Sequence, residues 1–270
     1  MNYSVQLFCK KVLVHYEKEG RDHLQWRKTK DPYRILVSEM MLQQTQVDRV
    51  IPYYQRFIKK FPIAKTLAQA SLGTVLKEWS GLGYNRRAKF LHQAAQVIAS
   101  QHHGKTPSDY IALRALPGVG EYTAKAVRTF AFDLPEVMLE TNIRTAVIHD
   151  FFPRGRKVSD ERLASILAAC IQHVNSPRVW YWALMDYGTQ IKKEHSNATR
   201  RSRAYVKQKP FKDSQRQVRG AILRTLSGSN ATESTLAYKT GFATSRLMQA
   251  LVALEAEGMV RKNGSRWQIS

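Results

Sequence analysis

Acidic residues, cysteine and long apolar runs are all scarce in this chain. Its 270 residues carry 21 Asp and Glu against 43 Lys and Arg, a formal net charge of +22 with a pI near 10.2. That imbalance exceeds what solubility needs and selects a polyanion as partner. Cys9 and Cys170 are the two cysteines, far apart and without a CxxC pair, which argues against both a disulfide framework and a cysteine metal cluster. They read as buried thiols of a reducing compartment. No apolar stretch reaches the roughly 20 residues that a membrane helix needs, and no signal peptide opens the chain. The expectation is a cytoplasmic, nucleoid-associated protein with no membrane contact. The histidines are scattered apart from His102 and His103 and have no carboxylate or thiolate partners at helical spacing, so no metal site is expected.

What is present is enough apolar surface, 43% of residues, to build real cores. Up to Ile191 a 3.6-residue apolar period recurs between short Pro or Gly punctuation, and alternation of β-branched residues is rare, which predicts an all-helical body. The expected helices are 3–19, 35–43, 47–61, 63–69, 72–80, 85–101, 109–115, 121–130, 142–152, 160–174 and 177–187, with turns that include 81–83, 104–107 and 153–155. From Lys192 to Arg219 ten basic residues, Lys209 among them, face only Glu194 and Asp213, the mark of a basic linker that touches nucleic acid. Beyond it, helices at 215–226, 233–240 and 244–257 and a hairpin around Asn263 and Gly264 give the layout of a winged helix-turn-helix. Leu247, Leu251 and Leu254 would pack inward, leaving Thr244, Ser245, Arg246 and Gln249 free to meet a DNA groove. The expected domains are 1–191, with one lobe over about 30–139 and the other from 1–29 plus 140–191, a linker over 192–213, and 214–270.

The chemistry-bearing motifs sit in the helical body. LPGVGEYTAKAV, from Leu116, is a glycine turn opening a helix; the amides of Gly118, Val119 and Gly120 are placed to hold a DNA phosphate. Removing a base from a duplex requires flipping it out, filling the gap, protonating the leaving base and stabilising an oxocarbenium-like sugar. Gln43, Gln44 and Tyr84 are loop-proximal residues able to fill the gap. Glu39, in the apolar run VSEMML, should have its pKa raised by desolvation and so serve as general acid. Glu140, in MLETN, should be kept ionised by the helix it precedes and stabilise the sugar cation. Tyr122 could bond the phosphate or Glu140.

Together, DPYRILVSEMMLQQTQVDRVIPYYQRFIKKFP from Asp31, GLGYNRRAKFLH from Gly81 and LPGVGEYTAKAV from Leu116 resemble the helix-hairpin-helix DNA glycosylase superfamily over roughly residues 20–192. Within it the likeness is to the MutY-type adenine glycosylases more than to the pyrimidine-removing endonucleases. The resemblance implies a two-lobed, mainly α glycosylase fold followed here by the small winged domain, with mismatched or damaged double-stranded DNA as partner and a monomeric enzyme. It implies that Glu39 protonates adenine, that Gln43, Gln44 and Tyr84 enter beside the flipped base, and that Asn142 neighbours the catalytic carboxylate. Bifunctional relatives carry a nucleophilic lysine where this chain has Tyr122. A monofunctional, water-using enzyme is therefore implied. Lys125, one turn along, keeps a DNA-binding role but not the lyase role. Three departures stand out: Glu140 replaces the family's aspartate, the lesion-reading domain is missing, and the segment after MDYGTQIK lacks the cysteines of the family's iron-sulfur cluster. No cofactor is expected, although a monovalent or divalent cation could sit at the hairpin.

Overall fold

The computed structural model describes residues 2–153, 157–195, 197–207 and 211–270; Gly155 and Lys209 lie outside them. Among the described residues, fourteen α-helices and one antiparallel strand pair fall into two compact units. Unit 1 comprises 1–35, 108–114 and 119–207, and unit 2 comprises 36–107, 115–118 and 208–270. The division places 119–139 with the unit that holds both termini of the helical body, not with the expected lobe of 30–139. The physical reason is local: Arg178 donates to the carbonyls of Phe130 at 2.7 Å and Ala131 at 2.9 Å, which ties that helix end to a later helix of unit 1.

In unit 1, α1 (Asn2–Glu19), α7 (Tyr110–Ala115), α8 (Glu121–Phe132), α9 (Thr141–Phe151), α10 (Asp160–Ile171) and α11 (Pro177–Glu194) carry the core. α8 is halted by Asp133 in the left-handed region, φ 58°, and its carboxylate receives the Ser176 hydroxyl at 2.9 Å and the Arg178 amide at 2.8 Å. Ser176 in turn caps α11, with Pro177 at its first position, where a missing N–H costs nothing. α11 buries Trp180, Tyr181, Leu184, Tyr187 and Ile191. Each ring that goes fully inside removes roughly 200 Å² from water, up to about 5 kcal/mol. The helix runs to Glu194 instead of ending near Tyr187, so Lys192 and Lys193 lie on it and not in a linker. The following residues are packed as well: Thr199 donates to the Thr141 carbonyl at 2.9 Å, and Ser202 bridges Val158. Cys9 and Cys170 are both buried free thiols, as the sequence suggests.

α2 (Pro32–Leu42), which belongs to unit 1 up to Ile35 and to unit 2 beyond it, enters from Pro32, three residues earlier than its apolar period shows, because Asp31 accepts the Tyr33 amide at 2.9 Å and starts the helix. In unit 2 the rest of this helix is followed by α3 (Val47–Lys60), α4 (Ala64–Gln69), α5 (Leu72–Trp79) and α6 (Arg86–Gln101). Phe57 and Trp79 meet edge-to-face at 5.8 Å, both fully buried. The C-terminal part consists of α12 (Gln215–Leu226), α13 (Glu233–Thr240), α14 (Thr244–Ala256), β1 (Val260–Asn263) and β2 (Arg266–Ile269). Leu247, Leu251 and Leu254 point inward as expected. The strands pair Val260 with Ile269 through Asn263 with Arg266, so the two turn residues are Gly264 and Ser265, one position beyond the expected Asn263 and Gly264. Gly264 takes φ 57°, which an amino acid without Cβ adopts freely. None of the described helices is long and apolar enough to cross a membrane.

Candidate active site

Glu39 lies on α2 with Ser38 and Met40 and is 7% exposed. The end of this helix is fixed by a residue from α6. Arg87, itself 7% exposed, donates to the carbonyls of Met40 at 3.0 Å, Met41 at 2.7 Å and Gln43, to the Thr45 hydroxyl at 3.0 Å and to the Gly83 carbonyl at 3.0 Å. A planar fork of five donors can satisfy several carbonyls left open at a helix end, which an ammonium could not do in one plane. Burial disfavours the charged guanidinium and lowers its pKa to about 10, which still leaves it protonated at neutral pH. Arg87 thus joins the carboxyl end of the Glu39 helix to the turn that carries Tyr84.

Both turns that Arg87 holds contain strained backbone. Gln44 has φ 54° and Tyr84 φ 50°, a region that non-glycine residues enter rarely and that clusters at functional sites. Gln44 is exposed, while Gln43 is half-buried with its amide 3.4 Å from the Met40 sulfur. The Trp79 indole N–H holds the Gly83 carbonyl at 3.0 Å, and Arg49 bonds the Gly81 carbonyl. Gly118 also belongs to unit 2; at φ 75°, a Cβ on it would lie 2.5 Å from Cβ of Phe90. Unit 2 therefore brings Glu39, Gln43, Gln44, Tyr84 and Gly118 onto one framework.

Unit 1 gathers the second carboxylate. Glu140 is the N-cap of α9: one oxygen accepts the amides of Asn142 at 2.6 Å and Ile143 at 2.7 Å, and the other lies 3.4 Å from the Asn142 side-chain nitrogen. Lys192 Nζ donates to Asn142 Oδ1 at 2.7 Å, completing a line from Lys192 through Asn142 to Glu140. Burial raises the Glu140 pKa, while the two amides and the cations Lys192 and Arg144 oppose it. The amides at the helix N-terminus favour the anion, as the sequence suggests, but desolvation outweighs them and the carboxyl lies above its ordinary value. Burial lowers the Lys192 pKa, with Glu140 pulling the other way.

The MDYG segment packs beside this carboxylate's helix. A Cβ at Gly188 would drive into the Asn142 carbonyl, so α9 and α11 approach closely only because that residue is glycine. Asp186 is 4% exposed and takes bidentate bonds from Arg27 at 2.7 and 2.8 Å, with Arg21 adding two more. Burial opposes its ionisation, but the bonds and charge of Arg27 and Arg21 prevail and hold its carboxyl below the usual range.

The remaining expected residues are arranged as follows. Val119 and Gly120 precede α8, whose start has no side-chain cap among the described residues, and Arg114 holds the Val119 carbonyl at 3.1 Å. Tyr122 is half-buried on α8. Lys125 pairs with Glu121 at 2.6 Å, one turn apart. Arg246 is not free, as the sequence suggested: it folds over the Phe242 ring at 5.5 Å and donates to the Asp213 carbonyl at 2.8 Å. Gln249 likewise bonds Gln215 at 2.6 Å; Thr244 and Ser245 are exposed. Among the missed residues, Arg87 lies inside a quoted motif but gives no periodic signal distinguishing a staple from a surface arginine. Lys192 was hidden by ending the helix too early.

Residues 37–197 match the family model described as HhH-GPD superfamily base excision DNA repair protein. The chain belongs to that family. It is 36% identical over 185 residues to an adenine DNA glycosylase of Buchnera aphidicola subsp. Baizongia pistaciae, covering 68% of this chain and 53% of the relative. It is 38% identical over 181 residues to the adenine DNA glycosylase of Mycolicibacterium smegmatis, covering 67% of this chain and 61% of the relative. The chain thus spans a little over half the length of these curated relatives. Among solved structures it is similar to a thermostable thymine-DNA glycosylase, with TM-score 0.63, 25% identity, and coverage of 73% of this chain and 91% of the other. An endonuclease III–DNA covalent intermediate shares the fold at TM-score 0.57 and 16% identity, covering 72% of this chain and 87% of the other.

Proposed function

We propose that this protein is a monofunctional DNA glycosylase of base excision repair that removes a mispaired base, adenine opposite 8-oxoguanine or guanine. The observation that carries the reading is the buried Glu39, set one turn before the stapled Gln43 and Gln44 and tied through Arg87 to the Tyr84 turn. The choice of adenine is supported by curated adenine DNA glycosylases at 36% and 38% identity.

In this reading Tyr84, with Gln43 and Gln44, fills the gap left by the flipped base, and the amides of Gly118, Val119 and Gly120 hold the backbone. Glu39 gives its proton to a ring nitrogen of adenine. The C–N glycosidic bond breaks with its electron pair leaving on the neutral base, and the anion of Glu140 stabilises the sugar cation. Water adds to the sugar carbon and gives up a proton, leaving an abasic site. Tyr122 bonds the phosphate or Glu140 and cannot form the imine that a lysine there would. Asn142 orients Glu140, and Lys125 adds positive charge beside the DNA.

The three C-terminal helices and hairpin are read as a winged helix-turn-helix that adds grip on DNA, with the protein acting as a monomer. Its exposed α14 start, Thr244 and Ser245, supports this placement. A second reading, removal of thymine or uracil opposite guanine, is favoured by the similarity to a thymine-DNA glycosylase structure at 25% identity. Incubation with end-labelled duplexes carrying adenine, thymine or uracil opposite each base, followed by alkali cleavage, decides between them. Adenine release opposite 8-oxoguanine or guanine is expected, with Glu39→Gln losing at least about a hundredfold in rate. Full activity in Glu39→Gln, or tight binding without release from any duplex, would sink the enzymatic reading.

A further inference from the structure

Tyr84, the residue assigned above to fill the gap in the stack, is held by the C-terminal part of the chain. Arg216, in the first turn of α12, donates to the Tyr84 hydroxyl, and its guanidinium carbon lies 5.2 Å from the tyrosine ring centroid. Arg87 lies over the same ring, also at 5.2 Å. This is more than a chance surface contact, since α12 is anchored beside α6 through a separate set of bonds. Lys89 on α6 donates to the Glu257 carbonyl, and the Glu257 carboxylate pairs with Arg219, one turn after Arg216, at 2.6 Å. All these residues belong to unit 2.

A side chain that fills the space of a flipped nucleotide stands beside the base left unpaired on the other strand. A guanidinium bonded to that side chain arrives at the same place. Its planar fork matches the O6 and N7 edge of guanine, whereas pyrimidines offer no such pair of acceptors and 8-oxoguanine, with a hydrogen on N7, keeps only O6. We infer that Arg216 is a specificity-determining residue that brings an opposing guanine into recognition together with Tyr84. The C-terminal part then reads the opposite strand through the start of α12, a route distinct from its groove-facing α14. This rests on the proposed gap-filling role of Tyr84.

The test compares the unaltered chain with Arg216→Ala, Arg216→Lys, Tyr84→Phe and the double variant. Two measurements run in parallel: single-turnover adenine release opposite guanine, 8-oxoguanine, cytosine and thymine, and affinity for duplexes with an uncleavable abasic analogue opposite the same four bases. Thermal unfolding of each variant checks that it is folded. Arg216→Ala is expected to lose roughly five- to a hundredfold opposite guanine, less opposite 8-oxoguanine, which keeps only the O6 acceptor, and less than about threefold opposite pyrimidines. Lysine should not restore the difference, because an ammonium lacks the fork. The double variant should lose less than the two single losses multiplied. Equal losses with all four opposing bases would reduce Arg216 to a phosphate contact, and equal gains would make it a brake on Tyr84; either overturns the inference. If no base is released from any duplex, the glycosylase reading fails, while the affinity series still decides the role of Arg216.

Discussion

In the proposed mechanism Glu140 serves both stability and chemistry. As the N-cap of α9 it accepts two amides, so Glu140→Ala should cost about 1 kcal/mol of stability, read as a lower unfolding midpoint. Glu140→Asp keeps a capping oxygen and should change stability by only a few tenths of a kcal/mol. It nevertheless withdraws the carboxylate by about 1 Å, so base release should slow by up to roughly a hundredfold. A separation of these two effects in melting and single-turnover experiments is the expected result; parallel losses would contradict it. The pH dependence follows from the raised pKa of the folded-state carboxyl. Stability from holding the neutral acid is fully present below the ordinary carboxylate value and is lost as pH rises through the raised one. In the proposed mechanism catalysis needs the anion and runs the other way, so the acid limb of kcat should lie above the ordinary carboxylate value. Lys192→Met removes a cation that opposes the rise. It should move the limb further upward, with a severalfold loss at acid pH and little change at alkaline pH; an unmoved limb would show that Lys192 does not act on Glu140.

At the scale of elements, two contacts set where the functional side chains stand. Gly188 lets α11 pass against the Asn142 carbonyl, and Gly188→Ala must push the start of α9 away. Overpacking of this kind costs about 1–3 kcal/mol, and it should also lower base release because Glu140 caps the displaced turn. Arg87→Ala removes this donor from the Met40 and Met41 carbonyls at the end of α2, at about 1–3 kcal/mol for each group that stays buried, while the Gly83 carbonyl keeps the Trp79 indole N–H. Arg87→Lys should recover only part of that loss, because one ammonium cannot span the same acceptors. Urea unfolding with both variants measures this, and equal stability of lysine and arginine at position 87 would argue against the staple. The helices themselves were legible: an apolar period of 3.6 and Pro or Gly punctuation gave nearly all of them within a few residues. The ends were not, because the last turns of α11 and the first turn of α2 are fixed by tertiary bonds and caps that carry no periodicity.

For the whole molecule, the excess of 22 positive charges predicts duplex affinity that falls steeply with salt. Each residue that neutralises a phosphate adds about 0.9 to the slope of log affinity against log salt. Arg246 is engaged with Asp213 and Phe242, so Arg246→Ala should lower the slope by less than one such unit unless DNA draws the side chain out. Titrations of labelled duplex from low to moderate salt measure the slope directly.

Sequence alone determined the helical class and singled out the candidate acids Glu39 and Glu140, and its charge pointed to a polyanion as the proposed partner. Those depend on composition, local spacing and motif order, all of which are properties of the chain. It did not determine that burial would outweigh the helix terminus at Glu140, that Lys192 would reach Asn142, or that Arg87 and Arg216 would meet the Tyr84 ring. These depend on desolvation and on contacts between residues up to 132 positions apart. Such pairs come together only when the helices pack, so only the tertiary structure could decide them.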